Sequence, residues 1–205
     1  MIEFRNLYIT FDNRPLFVDF SLTVEAGAKV VLYGPSGAGK STLLNCALGF
    51  VRPQAGSAMI DGTLLNETSV YSIRKKIAWL PQEFSLPYAS VQEMAESIFR
   101  LKVNRHLRVT PERMLQEFSR LGLSEELFEK RLSDLSGGQR QRVMVAMAGL
   151  LDKKIVLIDE PTSALDPLSV QKVISYIQQM EGKTVLAVSH DIRFVESFDR
   201  SIKIG

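Results

Sequence analysis

The stretch Lys29-Val-Val-Leu-Tyr33-Gly34-Pro-Ser-Gly-Ala-Gly39-Lys40-Ser41-Thr42 decides the fold of this chain. A short apolar run of strand character ends in a glycine-rich loop that satisfies G-x-x-x-x-G-K-[ST]. Ser41–Gly49 follows, with Leu43, Leu44, Ala47 and Leu48 at helical spacing and Gly49 as the stop. Glycines at these positions let the backbone wrap a phosphate chain with several N–H groups turned inward. The helix that begins near Lys40 adds the positive end of its dipole. Lys40 is then placed to reach β- and γ-phosphates, and the Ser41 hydroxyl to ligate Mg²⁺. A chance match to this pattern in a chain of such length is on the order of one in a hundred from average composition. On its own, the motif implies only a bound nucleoside triphosphate.

On the amino-terminal side, Ile2–Phe11 and Leu16–Val24 are rich in Phe, Ile, Leu, Val and Tyr, and Asp12-Asn13-Arg14-Pro15 supplies turn chemistry between two predicted strands. On the other side, 56–62 is a small strand bounded by glycines and Lys76–Leu80 another, closed by Pro81. Roughly 84–135 reads as a mostly helical insert. Val91, Met94, Ala95, Ile98 and Phe99 share one helical face; Thr110-Pro111-Glu112 is a capping hydroxyl, a proline at the first helical position and an acid near the positive end. Met114, Leu115, Phe118 and Leu121 continue that helix, Gly122 stops it, and Ser124-Glu125-Glu126 starts a short one. Ser136-Gly137-Gly138 precedes a helix expected over Arg140–Leu151. Ile155–Ile158 is an unbroken apolar run, as in a parallel strand buried on both faces; Val170, Val173, Ile174 and Ile177 mark a helix, and Thr184–Ser189 a further strand. Strand–helix–strand alternation predicts a parallel sheet with helices packed on it.

Composition narrows the function classes. The chain has 205 residues, is 45% hydrophobic and 23% charged, and carries a formal charge of +2, so nucleic acid is not expected as a partner. One cysteine, Cys46, excludes an internal disulfide framework and reads as core. No run of 18 apolar residues and no basic-then-apolar leader occur, which predicts a soluble, cytosolic chain. Asp159-Glu160 closes the strand at 155–158 at its carboxyl end, where open α/β sheets place their ligands. One carboxylate there can hold Mg²⁺ and the other can accept a proton from an attacking water. The basic stretch Lys102–Arg108, which contains His106, reads as a solvated loop, with a partner or lipid head groups as the other reading.

Leu135-Ser136-Gly137-Gly138-Gln139 is similar to the signature of ABC-type ATPases, and Ser136 lies 23 residues before Asp159, as in that family. The resemblance then covers nearly the whole chain. Gln82 in Leu80-Pro81-Gln82 looks like the Q-loop glutamine, Ser163-Ala164-Leu165-Asp166 resembles the D-loop, and Val188-Ser189-His190-Asp191 resembles the switch-histidine motif. Phe11 aligns with the aromatic residue that stacks on adenine. Met147, Gly149 and Ala28 depart from the family, which commonly carries arginine, leucine and glutamate there.

The resemblance implies an α/β fold: a P-loop NTPase core with a mostly parallel sheet, an N-terminal antiparallel β subdomain and a helical insert subdomain. It would be one nucleotide-binding domain over 1–205, with about 1–83 and 152–205 as β subdomain and core, and about 84–151 as the helical subdomain. It implies an ATPase in which ATP contacts Phe11, the phosphate loop (Gly34, Pro35, Ser36, Gly37, Ala38, Gly39, Lys40, Ser41, Thr42) and Gln82. Mg²⁺ would sit on Ser41, Gln82 and Asp159, with Glu160, His190, Lys40 and Gln82 acting in catalysis. Ser136, Gly137, Gly138, Gln139 and Asp166 would come from a second copy, in a head-to-tail homodimer with two composite sites. Hydrolysis would drive transport through a separately encoded transmembrane permease, placing the chain on the cytoplasmic face of the membrane. With the chain ending at Gly205, no C-terminal regulatory domain is expected. A soluble ATPase of the same family without a membrane partner, for example in iron–sulfur cluster assembly, is the alternative, and an unrelated phosphoryl-transferring P-loop enzyme a more distant one.

Overall fold

In a computed structural model, the described residues are 1–11, 14–83, 87–198 and 200–205. Asp12 and Asn13 of the predicted turn, and the first residues of the predicted insert, 84–86, lie outside them. The chain runs β1 (Ile2–Phe11), β2 (Arg14–Val24), β3 (Lys29–Tyr33), α1 (Lys40–Ala47), β4 (Ala55–Ile60), β5 (Thr63–Leu64), α2 (Val70–Arg74) and β6 (Ile77–Leu80). It continues through α3 (Val91–Arg100), α4 (Pro111–Arg120), 3₁₀ turns at Glu125–Phe128 and Leu132–Asp134, α5 (Gly137–Leu150), β7 (Ile155–Asp159), α6 (Pro167–Gln178), β8 (Thr184–Val188), α7 (Ile192–Glu196) and β9 (Arg200–Lys203).

Two sheets form. The antiparallel one has order β2-β1-β4-β5 and the parallel one β6-β7-β8-β3-β9. In β1, Ile2 and Phe4 face inward, and Asn6, at φ +48°, shifts the register so that Leu7 and Ile9 face inward as well. Strands β3, β6, β7 and β8 are buried on both faces, and alternate residues separate two cores. Val31, Ala78, Leu80, Val156, Ile158, Val185 and Ala187 point into a core shared with α3, α4, α5 and α6. Val30, Leu32, Ile77, Ile155, Leu157, Leu186 and Val188 point into a second core with α1 and the antiparallel sheet. Cys46 lies in that second core, where burial pushes its thiol up to about 11.

Helix starts follow local chemistry. Thr110 accepts from the Arg113 N–H with Pro111 at the first helical position, as the sequence predicts. The expected start of α5 is corrected: Gly137 and Gly138 are its first turn rather than a lead-in, and the helix ends at Leu150. The reason is a reciprocal cap. Ser136 Oγ accepts from Gln139 N at 3.2 Å while Gln139 Oε1 accepts from Ser136 N at 3.0 Å, enough to hold two glycines in helical conformation. The short segment after Ser124 is a 3₁₀ turn.

The residues that depart from the family pattern have places in the packing. Met147 is buried in the first core. Gly149 is a notch: a Cβ there would stand 2.2 Å from the Tyr176 hydroxyl, so the absent side chain admits the α6 tyrosine against α5. Arg120 of α4 lies over the Tyr176 ring at 4.7 Å and donates to Gln179 Oε1 at 2.8 Å, tying α4 to α6. Ala28 forms the turn before β3, its N–H donating to Glu25 O.

Candidate functional site

β3, β7 and β8 are neighbours, and all end at one edge of the parallel sheet. Their carboxyl ends deliver Gly34, Asp159-Glu160 and Ser189-His190 to one place. A cleft of about 580 Å³ opens there, lined by Ser36, Lys40, Ser41, Gln82, Glu160 and His190 at its polar parts and by Phe11 among its apolar ones.

The phosphate-type loop is built by close approach. Gly34 has φ +141°, and a Cβ on it would meet the Ile204 carbonyl oxygen at 2.1 Å, so the segment after β9 braces the loop from behind. Gly39 has φ +90°, and its Cβ would stand 2.7 Å from the Phe17 ring. Gly39 also serves as N-cap of α1, with no side-chain cap and no acid in the first turn. The first intrahelical bond is Leu43 N to Gly39 O, so the amides of Lys40, Ser41 and Thr42 have no partner within the helix. Lys40 Nζ donates to the Gly34 and Pro35 carbonyls at 3.0 and 2.9 Å, which holds the ammonium over the loop.

Ser41 Oγ donates to Asp159 Oδ1 at 3.1 Å. Burial pushes the Asp159 carboxyl above the usual range, opposed by the Ser41 hydrogen bond, reinforced by the neighbouring Glu160 charge and opposed again by Lys40. A hydroxyl and a carboxylate within contact, with Gln82 lining the same cleft, are the hard oxygen donors that suit Mg²⁺. Among the described residues no group of three His, Cys, Asp or Glu side chains converges.

Glu160 follows β7 at φ +49°, a conformation costing about 1–3 kcal/mol for a residue with a side chain and sustained only by its surroundings. Its N–H donates to Val188 O at 2.9 Å. Its Oε2 lies 2.8 Å from His190 Nδ1 and accepts the His190 backbone N–H at 3.3 Å. The carboxylate is nearly buried while the imidazole is largely exposed toward the cleft.

Most sequence-predicted residues therefore gather here. Phe11, Gly34, Ser36, Gly37, Gly39, Lys40, Ser41, Thr42, Gln82, Glu160 and His190 line the cleft, Pro35 and Ala38 lie within its loop, and Asp159 backs Ser41. Ser136, Gly137, Gly138, Gln139 and Asp166 do not line it. Gln139 is engaged in capping Ser136. Asp166 caps α6, accepting from Leu168 N, Ser169 N and Ser169 Oγ, and the Ser169 hydroxyl holds its carboxyl below the usual range. Gly138 lies against the same turn, where its Cβ would stand 2.8 Å from Ala164 O. Sequence reading missed Leu16, which lines the cleft beside Phe11; its place follows only from the pairing of β1 with β2.

The comparisons agree with this architecture. A family model described as "ABC transporter" matches residues 17–163. The glutamate/aspartate import ATP-binding protein GltL of Escherichia coli (strain K12) is 35% identical over 200 residues, covering 95% of this chain and 82% of that protein. A putative export ATP-binding/permease protein of Rickettsia typhi is 35% identical over 211 residues, 97% of this chain, but the chain spans only 36% of its length. The solved dimeric structure of MJ0796, a bacterial ABC transporter cassette, matches with a TM-score of 0.84 at 29% identity, covering 100% of this chain and 94% of that one. A post-hydrolysis dimer of the same cassette, bound to ADP and Pi, matches with a TM-score of 0.83. The chain is an ATP-binding ATPase cassette and belongs to the ABC transporter family.

Proposed function

We propose that the cleft hydrolyses ATP only when a second copy of the chain closes over it, and that this cycle drives a membrane partner. The observation that carries the reading is the division of the parts: the loop over Gly34–Ser41 and the Glu160–His190 pair share one cleft, while the second glycine-containing helix start, at Ser136, lies outside it. One nucleotide cannot occupy both within a single chain. In a head-to-tail pair, Ser136 and the amides of Gly137 and Gly138 of one copy face the γ-phosphate held by the loop of the other. The dimers formed by the related MJ0796 cassette support this arrangement.

Within each site the roles follow from placement. Phe11 offers its ring as a platform for the base. The free α1 amides and Lys40 hold the phosphates. Ser41, Asp159 and Gln82 would hold Mg²⁺, which supplies charge neutralisation on the phosphate oxygens. Glu160 Oε2 orients and deprotonates the water, and His190 fixes that carboxylate and faces the transferring phosphoryl. The glycines of the loop prevent side chains from competing for the phosphate. The membrane partner is a separate permease, and the chain works on the cytoplasmic side of the membrane; the import ATP-binding relatives support this.

Glu160→Gln is expected to bind ATP, to slow turnover at least about a hundredfold and to accumulate a dimer by gel filtration. Full turnover in that variant would remove Glu160 from its role. Ser136→Arg should abolish hydrolysis while a single chain still binds nucleotide; unaffected hydrolysis would sink the composite site. A pull-down of the tagged chain from detergent-solubilised native membranes is expected to recover a multi-span protein, and recovery of soluble partners alone would favour an ATPase without a permease.

A further inference from the structure

Glu160 stands in an unusual backbone conformation, and its carbonyl is where the signature helix meets the proposed base. At φ +49° the residue turns sharply after β7, and its two flanking peptide groups are both held. The N–H is fixed by Val188 O of β8. The carbonyl has three donors around it: Gln141 Nε2 at 3.5 Å, Ser163 Oγ at 3.3 Å and Ser163 N at 3.5 Å. Gln141 is the one donor that comes from outside the turn. It lies on α5, five residues beyond Ser136, and is 5% exposed. A buried amide donor needs a partner, and the partner here is this one carbonyl. An apolar residue would fill the same space without holding the peptide.

We propose that Gln141 is a positioning residue for hydrolysis: it holds the Glu160 peptide in its left-handed turn and so aims the carboxylate at the water, from the same helix that begins at Ser136. The inference rests on the reading of Glu160 as the proposed base. If the carbonyl is released, the peptide can relax toward an ordinary conformation and swing the carboxylate off line, and displacement of a reacting group by about 1 Å costs on the order of a hundredfold in rate. Nucleotide affinity is untouched, because Gln141 does not line the cleft.

The test uses the full chain with ATP and Mg²⁺. Gln141→Leu keeps the volume and removes the donor; Gln141→Asn keeps the polarity but shortens the reach. Both are expected to lower kcat about tenfold or more with KM and nucleotide Kd within about twofold. Ser163→Ala, at an exposed position, removes another donor from the same carbonyl without entering the core and is expected to lower kcat by about threefold. In single-turnover reactions, adding Gln141→Leu to Glu160→Gln should cause no further loss, since the group being aimed is already gone. A kcat within twofold of the parent for the Gln141 variants overturns the proposal. So does a rise in KM at unchanged kcat, or a loss that multiplies with that of Glu160→Gln. Wild-type turnover by Glu160→Gln alone would instead overturn the reading of Glu160, whatever the Gln141 variants do.

Discussion

Among the described residues, two helix starts contain glycine and look alike, yet they are built on opposite principles. α1 begins at Gly39, a residue in the left-handed region with no side chain to offer, and its first amides are left without intrahelical partners. α5 begins at Ser136, whose hydroxyl takes one of those amides, while Gln139 reaches back to satisfy Ser136 itself. The first start is held by tertiary contacts (Phe17 against Gly39, Ile204 against Gly34) and depends on little of its own chemistry. The second is stable by local bonding and uses its glycines for close approach, Gly138 lying on Ala164 O. An anion can be wrapped by the first alone. The second has only its Gly137 and Gly138 amides to give, and something must be brought to it.

The sharpest way to break this contrast is to fill the open start. Gly39→Val places a branched side chain at φ +90° and within 2.7 Å of Phe17, so nucleotide binding should fall at least about a hundredfold by calorimetry. Ser136→Ala, at the closed start, removes a cap and should cost about 1 kcal/mol, or about 2–4 °C in Tm for a chain of this size, with the nucleotide Kd of the single chain unchanged. Gln139→Ala deletes only the reciprocal bond and should lower Tm by less than Ser136→Ala does. The smallest effect is a slope with pH. Burial raises the Asp159 carboxyl above its ordinary 3.8, so folding is helped while that group is protonated and loses ground as pH rises through the raised value. Without divalent cations, Asp159→Asn should therefore melt above the parent at neutral pH, and the gap should close as the pH is lowered toward 4. A parent that melts higher at neutral pH would contradict it.

The two starts were unequally legible in the sequence. Gly34–Ser41 is decided by residues within eight positions of one another, so strand, loop and helix could be placed before any tertiary contact was known. At Ser136 the sequence reading places the glycines ahead of a helix over Arg140–Leu151, and α5 starts three residues earlier because the reciprocal bond that overrides glycine's backbone freedom spans Ser136 and Gln139. The strand order, which puts β6 at one edge and β3 fourth, depends on crossovers that no local pattern records. Leu16 and Gln141 escaped for the same reason: each matters through a partner on another element, β1 for the first and the turn after β7 for the second. Glu160 is legible from its place at the end of the 155–158 strand and His190 from motif order, but their 2.8 Å contact depends on β7 and β8 being neighbours.

The notch at Gly149 also bears on how this sequence can change over generations. Positions 149 and 176 constrain each other sterically although they lie 27 positions apart. A larger residue at 149 is barred while the tyrosine occupies the slot, and a smaller residue at 176 opens a void beside α5 that a glycine cannot fill. A leucine at 149 can therefore be accommodated only once the tyrosine has changed, or together with that change.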